Sequence, residues 1–235
     1  LWRSESGAAY GYRYEYEAGA AREHAGYFMA WFAAFFGPAK TVTSFSACLW
    51  PDREVVPGEP LGITTSDFST ACITFESGVV VRLTTSMVAP HNHGVQIIGE
   101  KGVLTVDECW NYCSPVYVDK YSKFRLRLNR LPILRKYPFV KNWFAARPRV
   151  YPPVKKFGLG KRYARSHQDF ARGVAELARA IMERRPSRLP VDFCLHVNEL
   201  VLAMQNPTDA PYQVKTTFKP IQALDDAALK EYLSL

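Results

Sequence analysis

Apolar and polar positions recur with several different periods along the chain, and each period predicts an element. The most marked stretch is residues 22–38, REHAGYFMAWFAAFFGP. Residues 25–36 carry no charge, and Phe, Trp, Tyr, Met and Ala run all the way round. That pattern predicts a helix buried on every side rather than along one stripe. Its twelve uncharged residues are too few to cross a bilayer, which takes roughly 20. Gly37 stops the helix and Pro38 prevents its restart. Glu23, His24 and Tyr27 sit at its mouth. Glu23 and Tyr27 are four apart and share a face. The pair reads either as a site or as a solvated first turn with Glu favoured by the helix dipole.

The rest of the pattern predicts a mixed chain. Tyr10, Tyr12, Tyr14 and Tyr16 alternate with Gly11, Arg13 and Glu15. Period two suggests a short strand or extended arm, packed on the core or exposed as a carbohydrate-stacking strip. A strand follows over about 39–50, and the Pro- and Gly-rich residues 51–62 read as a surface loop. Residues 67–75 and 79–87 alternate well and predict an antiparallel hairpin closed at Glu76-Ser77-Gly78. Ala71, Ile73, Phe75, Val79, Val81 and Leu83 form its greasy face; Thr70, Thr74, Arg82 and Thr84 form the polar one. Residues 95–99 and 103–107 are two further strands. Residues 166–183 read as an amphipathic helix with a stripe of Phe170, Val174, Leu177, Ala178 and Ile181, capped by Ser166 and Asp169. Asp192 caps a third helix with Phe193, Val197, Leu200, Val201 and Met204 as its stripe, and places His196 as a core histidine. Residues 212–218 suggest a last strand and 225–235 a short tail helix.

Composition adds a globular core, since 48% of the 235 residues are hydrophobic. Cys48, Cys72 and Cys194 fall in apolar patterns and read as reduced core thiols, which points to a reducing, cytoplasmic compartment. Cys109-x-x-x-Cys113 lacks a second ligand pair, and His91-Asn-His93 shows no carboxylate partner nearby, so no metal is expected.

The net charge of +8 is uneven. Fifteen of the thirty Lys and Arg lie within 120–165, a window without Asp or Glu. This basic segment is a solvated insertion, a peripheral contact with an anionic membrane surface, or a site for a phosphate-bearing ligand gripped by Arg such as Arg162 and Arg165. Nucleic acid is disfavoured, because no recognition fold accompanies the charge.

One family resembles this order of motifs. Glu23-x-x-x-Tyr27, then Gly37-Pro38 and the strand Lys40-Thr-Val-Thr-Ser-Phe45, resemble the C-terminal domain of the Gfo/Idh/MocA oxidoreductases. Phe75-Glu-Ser-Gly78, Gly99-Glu-Lys-Gly-Val-Leu104, Arg185-Pro-Ser-Arg-Leu-Pro190 and Leu195-His-Val-x-Glu199 resemble its later turns and closing helices. The resemblance implies an α+β fold with a large, mostly antiparallel sheet and helices on one face. It implies one domain over 1–219, with a basic insertion at about 109–160 and a tail at 220–235. It implies NAD or NADP chemistry on a sugar, sugar derivative or cyclitol by hydride transfer. Tyr27 takes the family's His place and Glu23 its Asp place, as the catalytic pair. His24, Tyr10, Arg162 and Arg165 are the substrate-contact candidates. Association into a homo-oligomer through the open sheet face is implied as well.

The family's Gly-rich phosphate loop and Glu-Lys-Pro motif do not occur in this sequence. The chain is therefore expected to be a C-terminal piece whose N-terminal Rossmann half is absent. That half would bind most of the dinucleotide, and this chain alone is expected to be inactive. A phenol at the His place needs a neighbouring cation to act as a base at neutral pH, or else serves only as a hydrogen-bonding group. The alternative function is a non-catalytic binding or scaffold relative, held at a membrane by residues 120–165.

Overall fold

The computed structural model describes residues 9–62, 64–88, 92–110, 114–121, 149–151 and 171–221; the side chains of 9–12, 55, 56, 149–151 and 172 lie outside that description. Two compact units emerge, one of Leu1–Ala89 with Val174–Leu235, the other of Pro90–Gly173.

The first unit opens with α1 (Ala9–Ala18) and α2 (Ala20–Phe36). The tyrosine-rich lead-in is thus helical, not an extended arm. A period of two also contains i, i+4 pairs: Tyr10 with Tyr14, Tyr12 with Tyr16. Arg13 and Glu17 use that spacing for an ion pair at 2.9 Å. Gly19 separates the helices at φ 92°, a conformation that costs other residues energy.

A four-stranded antiparallel sheet follows, ordered β10-β1-β4-β5. Its strands are β1 (Ala39–Ala47), β4 (Phe68–Phe75), β5 (Val80–Ser86) and β10 (Tyr212–Gln213). The expected hairpin holds, with Ile73 opposite Val81 and Ala71 opposite Leu83. Ala71, Ile73, Phe75, Val81 and Leu83 are buried on one face, while Cys72, Arg82 and Thr84 are exposed on the other. Between β1 and β4, the predicted loop contains a small antiparallel ribbon of β2 (Glu54–Val56) and β3 (Glu59–Pro60). Gly58 at φ 82° makes its turn.

Helix α2 and α4 (Val191–Gln205) pack on the greasy face of the sheet and against each other. Ala20, Ala21, Ala25, Phe28, Met29, Phe32 and Ala33 are buried, so burial follows one stripe. Tyr27 is 47% and Phe35 69% exposed. The expectation of a rod buried on all sides is corrected: α2 rests on a single layer of partners, which covers one stripe whatever the composition of the other. Helix α4 buries the predicted Phe193, Leu200, Val201 and Met204. Pro190 precedes it and Asp192 lies in its first turn, so Asp192 is not the capping residue. Ser44 and Ser46 donate from β1 to the carbonyls of Ala203 (2.8 Å) and Met204 (3.1 Å). They satisfy end carbonyls that the helix itself cannot reach.

His196 is fully buried, as expected of a core histidine. Its Nε2 accepts the Ala39 N–H at 3.0 Å and its Nδ1 lies 3.0 Å from the Thr216 carbonyl oxygen. Glu199, on the same helix, accepts the N–H groups of Lys215 and Thr216 and the hydroxyl of Tyr212, each at 2.8 Å, and the Thr216 hydroxyl. The predicted last strand is therefore only Tyr212–Gln213, because a carboxylate takes the N–H groups that a longer ladder would use.

Helix α3 (Ala171–Met182) carries the predicted period, but Val174, Leu177 and Ile181 are exposed. It holds on through buried Ala180 and through Glu176, whose carboxylate receives the Arg185 guanidinium at 2.6 and 3.0 Å. Cys72 and Cys194 are exposed rather than core thiols. The alternation of β4 turns Cys72 to the open face, and Cys194 lies off the buried stripe of α4. Phe170, Ser166 and Asp169 lie outside the described residues.

The second unit is an antiparallel sheet ordered β6-β7-β8-β9. It comprises β6 (Val95–Gly99), β7 (Gly102–Val106), β8 (Val116–Lys120) and β9 (Arg149–Tyr151). The first two strands are the predicted ones. The antiparallel class thus holds, with the described strands in two sheets of four and a ribbon. At the open end of β6 and β7, His93 Nδ1 lies 3.1 Å from Glu108 Oε1, and the imidazole stacks on Trp110 at 4.5 Å. Along the chain no carboxylate stands near His93. Pairing of Val95 with Val106 supplies one, by placing the residues before β6 beside those after β7. Burial and the Glu108 charge push the Cys109 thiol up to about 11.

Candidate functional site

The corner between α1 and α2 gathers the titratable groups at the mouth of α2. Gly19 lets the chain turn there, and its N–H caps Glu15 O at 3.0 Å. A Cβ at Gly19 would lie 2.5 Å from Gln205 Nε2. Gln205, at the end of α4, accepts the Arg22 N–H at 3.2 Å and donates to the Ser66 hydroxyl at 3.2 Å. Ser66 O in turn accepts the Ala20 N–H at 2.8 Å. The corner is thus held from three directions.

Glu23 stands in the first turn of α2, half-buried, with Tyr27 one turn further on along the same side of the helix. His24 is half-buried beside Glu23; burial lowers its pKa and the Glu23 charge opposes that. Glu15 approaches from α1. Burial raises its pKa, and the charge of Glu23 raises it further. Glu15 therefore holds a proton more readily than an ordinary carboxyl. Carboxyl groups near an imidazole, with a phenol one turn on, suit hydrogen bonding to adjacent hydroxyls.

Of the residues selected from sequence, Glu23, His24 and Tyr27 come together here. Tyr10 belongs to α1, but its side chain lies outside the described residues, and so do Arg162 and Arg165 with nearly all of the basic segment. Glu15 was missed because it was read as part of an extended arm. Its place eight residues before Glu23, across a glycine, is the signal that could have found it. Among the described residues no three His, Cys, Asp or Glu gather as a metal site would require. No helix among them is long and apolar enough to cross a membrane.

Residues 2–105, which contain this corner, match the family model of the GFO/IDH/MocA C-terminal domain. Over that stretch, a little under half of the chain, the sequence is similar to that family's C-terminal domain. The domain's architecture recurs in solved structures. An NAD binding oxidoreductase from Klebsiella pneumoniae superposes with a TM-score of 0.58 at 14% identity, over 84% of this chain and 51% of that one. A UDP-N-acetylglucosamine 3-dehydrogenase from Acidithiobacillus ferrooxidans gives 0.52 at 12% identity, over 79% and 46%. A 3-ketoreductase from Actinomadura kijaniata, in complex with TDP-benzene and NADP, gives 0.51 at 17% identity, over 80% and 46%. At these identities the likeness is one of fold. The chain spans about half the length of these structures. No curated protein sequence matches it.

Proposed function

We propose that this chain is the substrate-binding and oligomerising part of an NAD(P)-dependent oxidoreductase that acts on a sugar, sugar derivative or cyclitol by hydride transfer. The observation that supports the reading is the α1–α2 corner, where Glu15 and His24 lie within reach of the Glu23 charge and Tyr27 follows one turn on, within the stretch that matches the GFO/IDH/MocA C-terminal domain. Two solved structures of the same fold bear names for dehydrogenation of a nucleotide sugar and for keto reduction. A sugar-like substrate is the proposal that follows.

The sequence has no Gly-x-Gly-x-x-Gly loop, so the residues of this chain do not fit the pyrophosphate of a dinucleotide. NAD or NADP is proposed to be held mainly by a half outside this chain, and it exchanges the hydride when bound. The residues here position the substrate. Glu23 accepts a hydrogen bond from a ring hydroxyl, and Tyr27 bonds the hydroxyl whose carbon reacts and moves its proton. The open sheet face, with Phe45 and Val80 exposed among threonines, is the proposed contact with a second copy. Exposed Cys72 and Cys194 fit a reducing compartment such as the cytoplasm.

The test is Tyr27→Phe in the full-length enzyme. A lost proton-transfer group should lower kcat by roughly 10²–10⁴-fold with dinucleotide affinity unchanged. Unaltered turnover would remove Tyr27 from the mechanism.

A further inference from the structure

Helix α2 begins without a cap of its own. Gly19, in the capping position, has no side chain to offer the free N–H groups of the first turn. Two of those groups are met from elsewhere in the fold. The Ala20 N–H goes to Ser66 O at 2.8 Å. The Arg22 N–H goes to Gln205 Oε1 at 3.2 Å, across 183 positions of sequence. The Gln205 amide lies against Gly19, where a Cβ would come 2.5 Å from Nε2. A bare glycine and a glutamine from another helix thus make one cap between them.

The base from which Gln205 reaches is fixed in turn. It is the last residue of α4. Ser44 and Ser46 of β1 hold the two carbonyls before it, Ala203 O and Met204 O. The Ser46 hydroxyl also lies 2.8 Å from that of Ser69 on β4, which is fully buried. Ser69 donates to the Ser66 hydroxyl at 3.3 Å, and Ser66 also receives Gln205 Nε2 at 3.2 Å. Three serines therefore link the end of α4, through the sheet, to the start of α2. A polar network whose members are paired rigidifies what it joins. Here it ends on the amide one position before Glu23.

We propose that Gln205 is a positioning residue: by capping α2 from α4, it sets the direction in which Glu23, His24 and Tyr27 leave the corner. What those groups act on rests on the function proposed above; the cap itself does not.

The corner can be read without substrate. In the intact protein, the His24 imidazole is titrated by NMR in wild type and in Gln205→Leu. Burial lowers the His24 pKa, so a loosened first turn should return its midpoint toward the ordinary 6.5. Amide exchange in the first turn of α2 should quicken by roughly 3–30-fold, the weight of one lost helix cap. Ser44→Ala is the control. It removes a hydrogen bond from β1 to the same end of α4 but leaves the cap in place, so it should move neither readout. Should Gln205→Leu not fold, Ser66→Ala takes its place: it removes the hydroxyl that receives the Gln205 amide and keeps the carbonyl that receives the Ala20 N–H. The same upward shift of His24 is expected. A His24 midpoint unchanged by loss of the cap, or moved as far by Ser44→Ala, overturns the proposal. No turnover is measured, so this outcome is independent of that for Tyr27→Phe.

Discussion

Acidification should weaken this fold through His196, and the size of the effect follows from the ring's two partners. The neutral tautomer donates from Nδ1 to Thr216 O and accepts the Ala39 N–H at Nε2. A second proton would set an N–H against an N–H in a fully buried site. Burial accordingly lowers the pKa from its ordinary 6.5, against the hydrogen bond to Thr216 and the charges of Glu199 and Glu76, which raise it. The unfolded chain binds the proton first, so stability is complete above about 6.5 and falls as pH drops toward the folded-state value. The loss is at most about 1.4 kcal/mol per pH unit for one group. His24 shifts the same way, so the contribution of His196 must be isolated. His196→Gln keeps an acceptor and a donor in the site but does not titrate. Urea unfolding followed by tryptophan fluorescence at pH 7.5, 6.5 and 5.5 should show wild type losing stability faster than His196→Gln, at constant m-value. Parallel pH curves for the two would refute the assignment of His196 as a neutral buried acceptor.

Two further substitutions probe the scaffold of the site. Gly19→Ala meets both a positive φ, worth about 1–2 kcal/mol, and the Gln205 amide that ties α4 to α2. A loss of about 2–4 kcal/mol in urea unfolding is expected, and a loss under about 0.5 kcal/mol would contradict the geometry. Glu199 is partly buried, which raises its pKa, but hydrogen bonds from Thr216, Lys215 and Tyr212 outweigh this and hold it at about 2. Its stabilisation is present above the unfolded value of 4.5 and is lost as pH falls toward 2. Glu199→Gln should cost about 2 kcal/mol at pH 7 and flatten the stability curve between pH 4.5 and 3, read by circular dichroism.

The hairpin of β4 and β5, the β6–β7 pair, the stripe of α4 and the stop at Gly37 were legible residue by residue. Each is set by contacts within about ten positions: alternation, a turn glycine, a 3.6-residue stripe. The mouth of α2 was legible for the same reason, since Glu23 and Tyr27 are one turn apart on any helix. The lead-in was misread because tyrosines two apart serve a strand and a helix equally well, and local period alone cannot choose between them.

Side-chain placement across long separations came only with the tertiary structure. Glu15 meets Glu23 because Gly19 turns α1 onto α2, and Gln205 reaches that corner from the far end of α4. His93 gains Glu108 because two strands pair in one register. Arg53 meets the Tyr16 and Trp50 rings because the ribbon packs beside α1. Composition alone could not say which faces of α2 and α3 are covered. Apolar residues make burial favourable, but the number of layers around an element decides how much of it occurs. The sequence by itself determined which segments become helices and strands and where they stop, since those choices rest on neighbours along the chain. The fold decided which charges face one another, since that depends on distances that no local pattern encodes.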